Sequence, residues 1–335
     1  MSAHGSRVAD SLPPFGVVVI GRNEGDRLRH CMASVRHDLV PVVYVDSGST
    51  DGSAEWASSQ GIEVVALDLS YPFTAARARN AGYTRLLARR PDIQFVQFVD
   101  GDCEVQPLWL NAAASFLAQR REVAVVCGRR RERFPEASIF NAQCDREWNT
   151  PIGEAKACGG DAMLRRTALE QVEGFRSSLI AGEEPELCLR LRAAGWRIWR
   201  LDHDMTLHDA AILHWRQWWK RTVRAGHAFA EGALLHGAPP ERHWVKETWR
   251  AILWGLCLPL AILLLALFGH PATLLMLLAY PLQLLRLALR LGVSDRCAWQ
   301  ESLLLVLGKF PEAQGVMHFW FNRVTARRDR LIEYK

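Results

Sequence analysis

Apolar runs and polar interruptions divide the chain into two parts. The first alternates short strand-like stretches with longer helix-like ones, and the second is dominated by two long apolar stretches. Phe15-Gly16-Val17-Val18-Val19-Ile20 enters the polar turn Gly21-Arg22-Asn23-Glu24-Gly25 ahead of a helix-like segment. Pro41-Val42-Val43-Tyr44-Val45 runs into Asp46-Ser47-Gly48-Ser49-Thr50-Asp51-Gly52, and Phe95-Val96-Gln97-Phe98-Val99 ends at Asp100-Gly101-Asp102. Short apolar runs bounded by turn residues read as buried strands, and strands separated by helical stretches predict an α/β domain on a parallel sheet. The polar residues then fall at the C-terminal ends of strands, where ligands sit in an open α/β sheet.

In the second part, Ala251 to Phe268 carries no charge, and after Gly269-His270-Pro271 a second apolar stretch runs from Ala272 to Leu291, with Arg286 and Arg290 interposed. Eighteen helical residues extend about 27 Å, enough for the hydrocarbon core of a bilayer. The pair predicts a transmembrane helical hairpin over 251–291; a re-entrant pair or a buried hairpin fits the same pattern. Arg242, Lys246 and Arg250 precede it and Arg286, Arg290 and Arg296 close it, while its turn is uncharged. The positive-inside tendency places both ends in the cytoplasm, so the expected location is the cytoplasmic (inner) membrane with the α/β domain on the cytoplasmic side. Residues 1–14 show no signal-peptide core. Ser302 to Phe310 is Leu-rich but interrupted, and Gly315 to Phe321 mixes aromatics with the following Arg323, Arg327 and Arg328. That composition predicts a segment lying on the membrane interface, ending in a solvated charged stretch from Asp329 to Lys335. The expected organisation is an α/β domain over 12–235, separable from the rest, a basic linker over 236–250, the hairpin, and an interfacial segment over 292–335.

At 335 residues and 49% hydrophobic content, the chain has room for more than one domain or a domain plus a membrane element. Its net charge of +5, with both signs mixed throughout, leaves no nucleic-acid footprint. Eight cysteines without a Cys-x-x-Cys pair indicate neither a zinc site nor a disulfide framework, which fits a reducing compartment.

The candidate chemistry lies in the turns. Asp100 and Asp102 behind a strand suit a hard divalent cation shared with a substrate diphosphate, although Asp-Gly-Asp is also an ordinary turn sequence. Asp46 is placed to accept hydrogen bonds from a base or ribose, while Ser49 and Asp51 read as caps of the next helix. Glu183-Glu184 open a helix-like run after Gly182, with Pro185 in the first turn. They are either working carboxylates or acids that favour a helix N-terminus. In the segment His214 to His227, Arg221 and Arg224 share a helix face; a basic, Trp-rich helix on lipid headgroups is the other reading.

In order, these pieces resemble the family 2 glycosyltransferases, inverting enzymes of the GT-A fold that use nucleotide-diphosphate sugars. The resemblance covers roughly residues 15 to 230. It rests on the segments above together with Ala78-Arg79-Asn80-Ala81-Gly82, Gly159-Gly160-Asp161-Ala162 with Arg165-Arg166, Gly174-Phe175, Gly182-Glu183-Glu184-Pro185-Glu186-Leu187 and Leu189-Arg190-Leu191. It implies a divalent metal, Mn2+ or Mg2+, on Asp100 and Asp102, with His208 as a further ligand. It implies donor binding by Arg22, Glu24, Asp46, Arg79, Asn80, Asp100, Arg221 and Arg224, and an acceptor side at Gly160 and Asp161. The family's base is the second acid of a Glu-Asp pair, which maps onto Glu184 beside Glu183 with Glu in place of Asp. Processive synthases of the family carry Gln-x-x-Arg-Trp, whereas Gln217 is followed at that offset by Lys220-Arg221. The implied function is inverting sugar transfer, of hexosyltransferase type, from a nucleotide-diphosphate donor to a glycan or lipid-linked acceptor at the membrane, in cell-envelope or extracellular glycan synthesis. The alternative is a catalytically silent, membrane-tethered nucleotide-sugar or glycan-binding protein. A dinucleotide-binding oxidoreductase is excluded by the lack of Gly-x-Gly-x-x-Gly after the first strand.

Overall fold

The computed structural model describes residues 13–36, 40–325 and 332–333. The expectations for residues 1–12, for Arg327 and Arg328, and for the charged end at 329–331 and 334–335 lie outside them.

The N-terminal half opens with β1 (Phe15–Gly21), β2 (Val42–Asp46), β3 (Glu63–Ala66) and β4 (Phe95–Asp100), joined by α1 (Asp26–Val35), α2 (Ser53–Ser59) and α3 (Ala75–Arg89). These strands pair in parallel in the order β3-β2-β1-β4. Val17 to Val19 on β1, Val43 to Val45 on β2, and Phe95, Val96, Phe98 and Val99 on β4 are all buried, as continuous apolar strands covered on both faces must be.

Beyond β4 the sheet departs from the all-parallel expectation. The next elements are β5 (Cys103–Val105), α4 (Trp109–Gln119), β6 (Val123–Glu132), α5 (Ile139–Glu147), β7 (Gly153–Ala155), β8 (Ala162–Arg165), α6 (Arg166–Gln171), α7 (Glu183–Ala193) and β9 (Arg197–His208). The described sheet runs β3-β2-β1-β4-β8-β6-β9-β5, with β7 also on β9. β8 is antiparallel to β4 and β6, and β5 and β7 are antiparallel to β9. The Asp-Gly-Asp segment is therefore not one extended strand: β4 ends at Asp100, the chain turns, and β5 begins at Cys103.

The C-terminal part is helical: α8 (Trp215–His236), α9 (Val245–Ile252), a π-helical turn at Leu253–Cys257, α10 (Leu258–Leu267), α11 (Ala272–Leu277), α12 (Ala279–Leu291), α13 (Arg296–Leu307) and α14 (Lys309–Val324). Two stretches, Val245–Leu267 and Ala272–Leu291, are long and apolar enough to cross a membrane; an 18-residue window within each has a mean hydropathy of 2.2 and 1.7, respectively, and almost no burial within the protein. The first begins at Val245, inside the predicted linker, because Lys246, Glu247 and Arg250 continue the helix as its polar end.

The predicted interfacial segment is instead largely packed. Leu304 joins Trp218, Phe140 and Ile212 in one buried cluster, and Val316 and Phe319 join Ala230 and Ala251 in another. Gly226 of α8 and Gly315 of α14 let the two helices cross at backbone contact: a Cβ on Gly226 would collide with the Glu312 carbonyl, and one on Gly315 with the Val223 carbonyl. The outer face of α14, with Met317, Trp320, Phe321 and Val324, stays exposed and apolar, as do Val293, Trp299 and Leu303 before it.

Candidate active site

The C-terminal ends of β1 and β4 open into a cavity of about 820 Å³ that extends under α7, α8, α13 and α14. Two loops form its rim, and they are tied to each other. Asn23 accepts from the Thr50 N–H at 2.7 Å, Ser49 Oγ accepts from the Asn23 N–H at 2.9 Å, and Asp51 accepts from the Gly25 and Ser53 N–H groups at 3.0 Å each. Ser49 thus bridges loops rather than capping α2. Arg22 lies over the Phe73 ring at 4.4 Å and pairs with Glu333 at 2.7 Å, and Glu24 pairs with Arg27 at 2.9 Å; all line the cavity.

The charged centre is built around Arg79, which is 2% exposed. α3 delivers its guanidinium between Asp100 at 2.7 Å and Glu183 at 2.5 Å. Burial acts to raise the Glu183 carboxyl, but Arg79 and Arg224 outweigh it and hold it below the usual carboxylate range. Behind this pair, Arg130 bonds Asp161 at 2.7 Å and lies 3.5 Å from Asp100. Gly160 passes directly over the cluster: a Cβ there would stand 2.7 Å from an Arg79 nitrogen and 2.9 Å from an Asp100 oxygen.

Sheet register assembles the second acidic site. β5 pairs Cys103 with His208, and β6 pairs Glu132 with His208, so the turn residue Asp102 comes beside the end of β9. His208 Nε2 lies 3.4 Å from Asp102 Oδ2 and its Nδ1 lies 3.6 Å from Glu132, with the Trp148 ring edge-on at 4.7 Å. A carboxylate and an imidazole, their ligand atoms within 4.8 Å of one another and of Cys103, form a donor set that Mn2+ or Mg2+ accepts. A carboxylate behind the ring is the arrangement that orients a ligating histidine. The residues fit the implied metal. Asp100 shares Arg79 with Glu183 and Arg130 with Asp161, and burial, with Asp161 and Asp102 close by, pushes its carboxyl up.

Glu184 follows Glu183 at the start of α7, where Gly182 holds φ at 76°. Its Oε1 accepts from the Cys158 N–H at 2.7 Å and from the Cys158 and Cys188 thiols at 2.9 Å each. No hydrogen bond among the described residues reaches Oε2, and the residue lines the cavity.

At the far end, Arg221 and Arg224 of α8 line the cavity, with Arg221 paired to Glu147 at 2.7 Å. Gln217 accepts from the Leu213 and His214 N–H groups and so fixes the start of α8.

Three predicted site residues are used elsewhere. Asp46 is buried, and its two oxygens accept from the Tyr44 hydroxyl (3.0 Å), the Ser49 hydroxyl (2.5 Å) and the Gly48 and Ser49 N–H groups (2.9 Å each). Four donors fill a carboxylate's acceptor positions, so Asp46 holds the turn and does not face the cavity. Asn80 turns away from Arg79 and staples the 174–177 loop, donating to the Phe175 carbonyl at 2.7 Å and accepting from the Phe175 N–H at 3.0 Å. Asp161 is fully buried; it accepts from the Asp100 N–H at 2.9 Å and the Thr206 hydroxyl at 2.8 Å, and so supports Asp100 from behind rather than meeting an acceptor.

Sequence reasoning missed Arg130, Trp148, Glu312 and the cysteine pair. Strand alternation in Arg129-Arg130-Arg131 carried a signal for Arg130, since neighbouring side chains point to opposite faces. Nothing in the spacing brought Cys158 to Cys188, whose sulfurs lie 3.7 Å apart.

Residues 16–172 match the family model described as Glycosyl transferase family 2. The succinoglycan biosynthesis protein ExoA of Rhizobium meliloti (strain 1021) is 26% identical over 243 residues, covering 67% of this chain and 71% of ExoA. The mannosyltransferase PcManGT of Pyrobaculum calidifontis, solved in complex with GDP-Man and Mn2+, superimposes with a TM-score of 0.64 at 18% identity, over 94% of this chain and 89% of PcManGT. At that identity the likeness is one of fold. With the strand-end cavity, its acidic turn and the ordered motifs in place, residues 16–172 match a family 2 glycosyltransferase domain, on a GT-A fold that is followed by two helices apolar enough to span a membrane.

Proposed function

We propose that this glycosyltransferase moves a sugar, with inversion, from a nucleotide-diphosphate donor to a membrane-held, lipid-linked glycan acceptor, in extracellular or cell-envelope polysaccharide synthesis on the cytoplasmic face. One observation carries this reading. A single cavity joins the Asp102–His208 pair and the Arg79 cluster to the α7 carboxylates, and is closed by Leu304, Leu305 and Glu312 from the helices that follow the apolar hairpin. The name of ExoA supports a polysaccharide product, and the GDP-Man and Mn2+ held by PcManGT agree with the donor and metal classes.

Asp102 and His208 would hold the divalent metal, which when bound neutralises the donor diphosphate. Arg22 on its Phe73 face and Arg221 and Arg224 on α8 supply fixed positive charge to the leaving nucleoside diphosphate. Inversion needs one carboxylate to take the acceptor hydroxyl's proton as that oxygen attacks the anomeric carbon. Glu183 is poorly suited, because Arg79 stabilises its charged form. Glu184 is the base: three donors fix Oε1, and Oε2 is left to meet the hydroxyl. Purified protein incubated with a panel of nucleotide sugars and Mn2+ is expected to hydrolyse one donor slowly and to transfer that sugar to lipid extracts. Absence of turnover with every donor, with and without lipid, would refute the reading.

A further inference from the structure

Cys158 precedes the Gly159-Gly160 turn into β8, and Cys188 lies one helical turn after Glu184 on α7. The fold brings both thiols onto the same oxygen: each sulfur is 2.9 Å from Glu184 Oε1, and the sulfurs are 3.7 Å apart. Two thiolates bound to one tetrahedral zinc at about 2.3 Å stand about 3.8 Å apart. The sulfur separation therefore already matches that of a bound soft cation, and only the carboxylate has to draw back. We propose that Cys158, Cys188 and Glu184 form a binding site for a thiophilic divalent cation of the Zn2+ or Cd2+ class, and that its occupation takes Glu184 out of the cavity and stops transfer.

The site differs in kind from the Asp102–His208 pair. Sulfur ligands select soft cations, and carboxylate with imidazole accepts Mn2+ or Mg2+. Cys158 is only partly buried, and it adjoins Gly159 at the cavity wall, which gives an ion a path in. Binding releases one proton from each thiol to solvent and forms two metal–sulfur bonds and one metal–oxygen bond to Glu184, without any change of oxidation state. Because the ligating forms are thiolates, occupation competes with protons. The inhibitory consequence rests on Glu184 being the base; the binding itself does not.

The test uses full-length, reduced, metal-free protein in detergent, titrated with Cd2+ while sulfur-to-cadmium charge-transfer absorption is followed and alkylation of each cysteine is read by mass spectrometry. The expected result is a band that saturates at one Cd2+ per chain, with Cys158 and Cys188 protected together. The band is expected to vanish in Cys158→Ser, in Cys188→Ser and in the double variant, where a hydroxyl can still donate to Glu184, and to persist when the exposed Cys257 and Cys297 are both changed to Ser. No band, or a band that follows Cys257 and Cys297, overturns the site. In parallel, Zn2+ is expected to abolish sugar transfer in a way that excess Mn2+ does not relieve. Full occupation with undiminished transfer overturns the inhibitory half of the proposal and removes Glu184 as base, while leaving the family and its donor chemistry standing.

Discussion

Replacing Arg79 with Met removes a cation that joins the two halves of the site. The guanidinium lies between carboxylates on β4 and α7, at 2.7 and 2.5 Å, and is 2% exposed. Removing one partner of a buried ion pair costs about 3–5 kcal/mol, because the other charge is left unpaired. Asp100 keeps Arg130 at 3.5 Å, but Glu183 is left with only the more distant field of Arg224, so the larger share of the loss falls on Glu183. At roughly 2–4 °C per kcal/mol for a domain of this size, the melting temperature is expected to fall by roughly 6–20 °C near neutral pH. The pH dependence fixes the sign. In the parent protein Glu183 titrates below its unfolded value, so the pairing contributes stability above the ordinary carboxylate range and loses it as pH falls through the folded value. The gap between parent and Arg79→Met should therefore be widest near neutrality and narrow in acid. Thermal unfolding of both proteins in detergent, over that range, reads it directly. Equal melting temperatures at neutral pH, or a gap that stays constant into acid, would refute the reasoning.

Other outcomes follow from the same geometry. Glu184→Gln should lower turnover by about 10²- to 10⁴-fold with donor affinity nearly unchanged; an equal loss confined to Glu183→Gln would move the base one position back. Activity should disappear with a chelator and return with Mn2+ or Mg2+, and Asp102→Asn should lose metal-dependent nucleotide binding, measured by calorimetry without acceptor. Burial acts to raise the Glu186 carboxyl, but Arg190, Arg176 and His236 around it hold it low, so Glu186→Gln should cost about 3 kcal/mol near neutral pH and progressively less in acid, read by thermal unfolding. Ending the chain after Lys246 should give a protein that melts early or aggregates, since it bares Trp218 and the face of α8 that α14 covers; a soluble truncation with the parent's melting temperature would show that those helices are dispensable to the fold.

What the sequence made legible follows a physical rule. Strands buried on both faces are continuous apolar runs, so β1, β2 and β4 and the turns at their ends were readable from local pattern alone. The antiparallel arrival of β8 and β5 was not, because it depends on where the chain is led after α5 and α7, which no local period encodes. The motifs Arg22-Asn23-Glu24 and Ala78-Arg79-Asn80 located the site but did not divide the labour within it. Arg79 and Asn80 are adjacent on one helix and face about a quarter-turn apart, so one enters the charged cluster and the other pins the 174–177 loop. Asp46 shows the same limit. A carboxylate at a strand end is as able to tie its own turn as to bind a ligand, and only the positions of Tyr44, Gly48 and Ser49 decide between them.

The helices after the hairpin change how the anchor relates to the chemistry. Aromatic and basic residues over 309–328 fit a bilayer interface when read as a list, but the small residues among them carry the structural information. Gly315 meets Gly226 at backbone contact, and Gly255, at the start of the apolar hairpin, lies equally close to the Lys309 carbonyl. α14 is therefore clamped at once to the helix that carries Arg221 and Arg224 and to the base of the first apolar helix. Glu312, on the same helix, is paired with Lys309 at 2.5 Å and has its carboxyl pushed up by burial as it lines the cavity. One rigid helix thus borders the cavity and the apolar hairpin, so displacing that hairpin relative to the α/β domain must disturb the far wall of the cavity. The hairpin is part of the framework that sets the cavity's shape, which a freely jointed tether would not be.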